Sequence, residues 1–130
     1  KSIDSGIVVL LGIQKNDNKE DVTWLVNKIV NIRIFNDQND VMNLSLTDIN
    51  GSIMIISQFT LIASTKRGNR PSYINAAKHD HAVPLYNYFI NKISSLISNP
   101  IITGEFGANM IVSIKNDGPV TIVIDSKNKE

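Results

Sequence analysis

Gly6-Ile7-Val8-Val9-Leu10-Leu11-Gly12-Ile13 decides how the rest of the chain is read. A short apolar run rich in β-branched residues, entered through a glycine, predicts a strand buried on both faces. Asn16, Asp17 and Asn18 follow. Their side chains can accept from free backbone N–H groups, which suits a turn and then a helix N-terminus. Val22, Leu25, Val26, Ile29 and Val30 recur at helical spacing and put one apolar stripe on a helix over 19–32, with Trp24 beside it.

The strand-then-helix pattern continues. Residues 36–43 are polar and turn-rich, and Leu44 and Leu46 lead to the turn dipeptide Asn50-Gly51. Ile53-Met54-Ile55-Ile56 predicts a second buried strand, ending in Ser57-Gln58. Residues 63–71 form a loop carrying Lys66, Arg67 and Arg70, and a short helical piece is expected at Ala76 and Ala77. Ala82, Leu85, Phe89, Ile93, Leu96 and Ile97 mark a second amphipathic helix, with Asp80 as its cap and Pro84 in its first turn, stopping before Asn99-Pro100. Ile101-Ile102-Thr103, Met110–Ile114 and Val120–Ile124 are three further expected strands. From Lys127 the tail is charged and expected to fray. The fold class is α/β: β-rich mixed sheets with two main helices, in one domain over residues 1–130.

Composition removes several kinds of chemistry. With 130 residues the chain can bury roughly two-thirds of its unfolded surface. It has no cysteine, so disulfides, thiolate metal ligands and thiol nucleophiles are out. That suits a reducing, cytoplasmic setting. The formal charge of +1 predicts that any nucleic-acid contact is small and local. No apolar run is long enough for a membrane helix. His79 and His81 lie in a polar stretch before a helix and read as solvated. No serine or threonine sits in a nucleophile elbow, no His/Asp/Glu set has metal-ligand spacing, and no glycine-rich phosphate loop is present. No metal or cofactor is expected. Any catalysis must proceed without the usual acid–base residues.

Two segments fit poorly with a purely structural role. Ser57-Gln58-Phe59-Thr60-Leu61 closes a buried strand with polar residues. Unpaired buried polar groups cost about 1–3 kcal/mol each, so these must be satisfied by nearby backbone, by one another, or by a ligand. Asn116-Asp117-Gly118-Pro119-Val120-Thr121 can be a hairpin connection, since Asp-Gly is a strong turn signal. The proline is unusual there, because it cannot donate to a strand ladder. A Gly-Pro bond can also take the cis form at roughly 0.5–1 kcal/mol. Two carbonyls would then point to one side and could receive an ammonium group.

Together these segments resemble the D-aminoacyl-tRNA deacylase family, also called D-tyrosyl-tRNA deacylases, whose SQxTL and NxGPVT motifs are both complete at 57–61 and 116–121. Residues 9–13, 31–35, 66–73 and 104–110 are also similar to family segments and stand in family order. The resemblance implies hydrolysis of the ester of D-aminoacyl-tRNA, and of mischarged glycyl-tRNA, by an interface-forming homodimer. SQxTL comes from one subunit and a cis Gly-Pro from the other. It implies that Gln58, Phe59 and Thr60 serve catalysis, the backbone N–H groups of Phe59 and Thr60 as oxyanion donors and Thr60 as a positioning residue. Ser57, Asn116, Gly118 and Pro119 bind substrate, the last two through carbonyls that capture the amino group. Ala76, Phe106 and Met110 line an adenosine pocket. Lys66, Arg67 and Arg70 suit acceptor-stem phosphates, although a solvated loop explains them equally well.

The family begins with a strand and turn ahead of the Gly6–Ile13 region, bearing an arginine that locks the Gly-Pro orientation. This chain reads as lacking that N-terminal strand. Three other readings remain open: an editing hydrolase with a trans Gly-Pro that tolerates some L-amino acids, a non-catalytic dimer that binds RNA or DNA ends, and a plain structural domain.

Overall fold

The computed structural model describes residues 1–130. In chain order it has β1 (Gly6–Leu11), α1 (Lys19–Asn31), β2 (Phe35–Asn36), β3 (Met42–Leu44), β4 (Ser52–Ser57), a 3-10 turn (Phe59–Leu61), α2 (His79–Ser94) and β5 (Ile101–Thr103). Strands β1, β4 and β5 form one sheet in the order β1-β4-β5, parallel throughout, with Val8 opposite Met54 and Met54 opposite Ile102. Parallel neighbours need long crossovers, and the two helices lie in them. β2 and β3 make a small antiparallel pair. Asp37 fixes it by accepting from the Asn39 and Val41 N–H groups at 2.8 and 3.1 Å. Those N–H groups, Val41 foremost, hold its carboxyl below the usual carboxylate range.

One sheet face makes the core. Ile53 and Ile55 of β4 are wholly buried and pack with Val22, Val26 and Ile29 of α1 and Leu85, Phe89 and Ile93 of α2. The sequence stripe on α1 is therefore the buried stripe. Asn18 caps α1: its side chain accepts from the N–H groups of Glu20 and Asp21, while the Asp21 carboxylate accepts from the Asn18 N–H at 2.9 Å. This reciprocal capping box satisfies donors the helix cannot pair itself.

The opposite sheet face differs from the expectation of burial on both sides. An open cleft of about 1910 Å³ lies there, lined in part by Val8, Leu10, Met54 and Ile56, and Leu10 is 41% exposed. Residues 110–124 also line it. The two strands expected at Met110–Ile114 and Val120–Ile124 do not form. Their apolar, β-branched sequence is right for strands, but no backbone–backbone hydrogen bond involves any of residues 109–124. A strand is defined by its neighbour, and within this chain these segments have none. Ile111 and Val123 are consequently 95% and 92% exposed.

Three smaller expectations also change. α2 starts at His79, so both histidines belong to its first turn; Lys78 takes the cap position, Asp80 lies inside the first turn, and Pro84 falls in the second. Ala76 and Ala77 are not helical. They pair with the extension of β1 through Lys15 N–H to Asn75 C=O at 3.0 Å and Ala77 N–H to Ile13 C=O at 2.8 Å. The tail is held at Lys127, whose ammonium donates to Asp21 at 2.9 Å and stands 3.9 Å from Asp17. Lys129 lies over the Trp24 ring at 4.9 Å.

Candidate active site at the carboxyl end of the sheet

In open parallel sheets, ligands bind beyond the carboxyl ends of the strands. Here those ends are Leu11-Gly12, Ser57-Gln58 and Thr103-Gly104. Gln58 is tied to β1 by its N–H to the Leu11 carbonyl at 2.8 Å. Gly12 permits this: a Cβ there would stand 3.1 Å from Leu61 and 3.2 Å from the Gln58 carbonyl.

The chain then turns through the 3-10 segment at Phe59–Leu61. Leu61 N–H returns to the Gln58 carbonyl at 3.2 Å, and Ile62 N–H to the Phe59 carbonyl at 2.9 Å. The N–H groups of Phe59 and Thr60 donate to nothing within the chain, and both residues are exposed. Two adjacent free donors at a turn suit a developing negative charge on a carbonyl oxygen. The Gln58 side-chain amide donates to the Thr60 hydroxyl. No histidine, carboxylate or lysine hydrogen-bonds Thr60; the ring Nε2 of His81 is engaged with the Asp17 carbonyl at 2.9 Å. Within the chain, then, no base is hydrogen-bonded to Thr60.

Other residues of interest gather at the same end. Ala76 is bridged to Gln14, just beyond β1. Met110 lies against Gly104, where a Cβ would meet its sulfur. Phe106 packs edge-on to Tyr86 at 5.2 Å and to His79 at 5.6 Å. Lys66, Arg67 and Arg70 occupy an exposed hairpin loop, closed by reciprocal Ser64–Ser72 backbone bonds of 2.8 Å. None of the three makes a salt bridge. No group of three or more histidine, aspartate or glutamate side chains converges as a metal site.

The second motif lines the same open cleft as Leu61. Asn116 staples its own loop, accepting from the Val120 N–H at 3.0 Å and donating to the Thr121 hydroxyl at 2.8 Å. Gly118 has φ +131°, and the Gly118–Pro119 bond is cis. No hydrogen bond joins residues 116–121 to residues 57–61 of the same chain. Reading the sequence did not single out Tyr73, whose ring packs on Phe59 at 5.1 Å. An aromatic directly behind a cationic loop was the available signal.

A parallel sheet with a polar, donor-bearing turn at its carboxyl end, and a Gly-Pro loop stapled by Asn116, defines the class to which the comparisons point. The family described as D-Tyr-tRNA(Tyr) deacylase matches residues 1–125, and this chain belongs to it. The chain is 57% identical over 128 residues to the D-aminoacyl-tRNA deacylase of Flavobacterium psychrophilum, covering 98% of this chain and 85% of that one. It is 55% identical over 129 residues to the D-aminoacyl-tRNA deacylase of Phocaeicola vulgatus, covering 99% and 86%. Among solved structures it superposes on the c-Myc DNA Unwinding Element Binding Protein with TM-score 0.86 and 39% identity, covering 92% of this chain and 81% of the other. A structure described as that of a probable eukaryotic D-amino acid tRNA deacylase matches with TM-score 0.62 at 15% identity, covering 78% and 74%, a likeness of fold. No helix is long and apolar enough to cross a membrane.

Proposed function

We propose that this protein hydrolyses the ester of D-aminoacyl-tRNA, releasing the free D-amino acid and tRNA. The observation that carries the reading is the pair of unengaged N–H groups at Phe59 and Thr60, at the end of a central strand in a chain of this family. They stabilise the oxyanion formed as water attacks the ester carbonyl. A single such donor is worth about 10²–10³-fold in rate where one has been removed. Gln58 positions the ester, with Ser57 behind it. Thr60, which accepts from Gln58 and has no base beside it, positions rather than attacks. The neighbouring ribose hydroxyl of the substrate assists the water. Ala76, Phe106 and Met110 receive the terminal adenosine. Lys66, Arg67 and Arg70 meet phosphates of the acceptor stem. No cofactor enters this scheme.

The working unit is a homodimer in which the Gly118 and Pro119 carbonyls of one subunit receive the substrate ammonium at the other's SQFTL turn. Two observations support this: no hydrogen bond joins the two motifs within one chain, and Ile111, Ile114, Ile122 and Val123 are exposed along the segment that carries the second motif. With the amino group and ester both fixed, a D side chain points outward and an L side chain meets protein. Rejection is then steric, one site serves many D-residues, and glycine, without a side chain, is also hydrolysed. The fold comprises one domain acting on a cytoplasmic substrate.

The test is tyrosine release from D-tyrosyl-tRNA and L-tyrosyl-tRNA by the purified protein. Release from the D-ester alone is expected. Release from both removes the Gly118-Pro119 gate, and release from neither removes the hydrolase. A second reading, binding of nucleic-acid ends without chemistry, is favoured by the name of the 39%-identical DNA-binding structure; it predicts retention of tRNA with the ester intact. Within the hydrolase reading, Thr60→Ala is expected to keep kcat/KM within about tenfold, since it removes one side-chain hydrogen bond worth about 0.5–1.5 kcal/mol. Complete loss with an unchanged circular dichroism spectrum would instead make the hydroxyl a nucleophile.

A further inference from the structure

We infer that Phe59 and Tyr73 form a stacking step for the nucleobase that precedes the terminal adenosine, so that the enzyme reads a short single-stranded RNA end rather than one nucleoside. The inference rests on the deacylase reading above and extends it by one nucleotide and one residue, Tyr73.

The two rings meet edge to face, with centroids 5.1 Å apart and planes at 73°. Such a pair leaves ring face open to a third aromatic partner. Both are exposed, Phe59 by 57% and Tyr73 by 37%, an unusual state for two large rings unless something covers them. Their surroundings say what. Tyr73 directly follows the hairpin loop of Lys66, Arg67 and Arg70, whose base is locked by the two Ser64–Ser72 bonds of 2.8 Å. On its other side, the Tyr73 carbonyl accepts from the Ala76 N–H at 3.0 Å. That is a tight turn, which keeps the two Cα atoms within about 7 Å.

Three features thus stand in series: the position proposed for the terminal adenosine at Ala76, an aromatic step, and a group of unpaired cations. A single-stranded end offers a terminal nucleoside, a preceding base and phosphates in that order. Aromatic faces for bases beside cations for the backbone are the general means of holding single strands, and they are tolerant of base identity because every base has a π face. The net charge of +1 limits the phosphate contribution, which leaves stacking to supply the contact.

The experiment compares kcat/KM for D-tyrosyl-adenosine, for the D-tyrosyl ester of the trinucleotide cytidine-cytidine-adenosine, and for the same trinucleotide with an abasic penultimate position. The natural protein is expected to favour the intact trinucleotide over the nucleoside by about five- to a hundredfold, and the abasic ester is expected to lose most of that preference. Tyr73→Ala is expected to erase the preference through KM while turning over D-tyrosyl-adenosine normally, and Tyr73→Phe to restore it. Equal rates on intact and abasic trinucleotides would overturn the step without any variant being needed. An equal loss on all three esters in Tyr73→Ala would overturn it too, by making Tyr73 a support of the site. So would a shift of the Tyr73→Ala protein to a smaller species in sedimentation, because a second copy of the chain would then be what covers the rings. No turnover of any ester by the natural protein removes the deacylase reading, and the step with it.

Discussion

Gly118→Ala is expected to lower kcat/KM for D-tyrosyl-tRNA by about 10²- to 10⁴-fold and to leave the fold intact. Gly118 has φ +131°, a region that side-chain-bearing residues rarely enter. An added Cβ would stand 2.9 Å from the Val120 Cγ2 and 3.2 Å from the Val120 nitrogen. The loop must therefore shift, and the Gly118 and Pro119 carbonyls shift with it. A hydrogen bond to a charged group is worth about 1.5–3 kcal/mol, so if these two carbonyls receive the substrate ammonium as proposed, misplacing both weakens its capture by about 3–6 kcal/mol. Each 1.36 kcal/mol is about tenfold in rate, which gives the range stated. The fold should survive because 116–119 are exposed and the buried cluster contains none of them. Steady-state kinetics with circular dichroism as a control checks this. Normal turnover would show that the loop does not touch substrate.

Phe89→Ala is expected to cost about 3–5 kcal/mol of stability. Phe89 is only 1% exposed and is the largest of the fully buried side chains. It sits on α2 in the cluster that joins both helices to β4. Its removal takes apolar surface from the core and leaves a cavity that a helix–sheet contact fills poorly. Against a typical total of about 5–15 kcal/mol, that loss would leave a marginal protein. Urea denaturation at fixed protein concentration should show a lower midpoint with an unchanged slope. A loss under about 1 kcal/mol would mean that the neighbours close the gap, and that α2 is less firmly packed than its burial implies.

Much of this architecture was legible in the chain. The period-3.6 stripes on α1 and α2 and the apolar runs of β1 and β4 each report local burial, which side-chain spacing encodes directly. SQFTL and NDGPVT stood out because each breaks a local rule and matches a family motif: polar residues end a buried strand, and a proline follows a turn signal. Boundaries were less legible. Asp80 suggested the cap and Pro84 the first turn, yet α2 begins at His79, with Lys78 at the cap position and Pro84 in the second turn.

Residues 110–114 and 120–124 mark the limit of such reading. Their apolar, β-branched composition is a strand's, but pairing is a property of two segments, and no backbone hydrogen bond within this chain joins them to a neighbour. By itself the sequence determined the helix faces, the apolar runs of β1 and β4, the Asn18 cap of α1 and the two motifs, because each depends on contacts within a few residues. Tertiary structure alone decided that β1, β4 and β5 lie parallel, that Gly12 lets the SQFTL turn close on β1, and that the Phe59 and Thr60 N–H groups are left free. Those outcomes depend on which distant segments become neighbours, and local spacing carries no record of that choice.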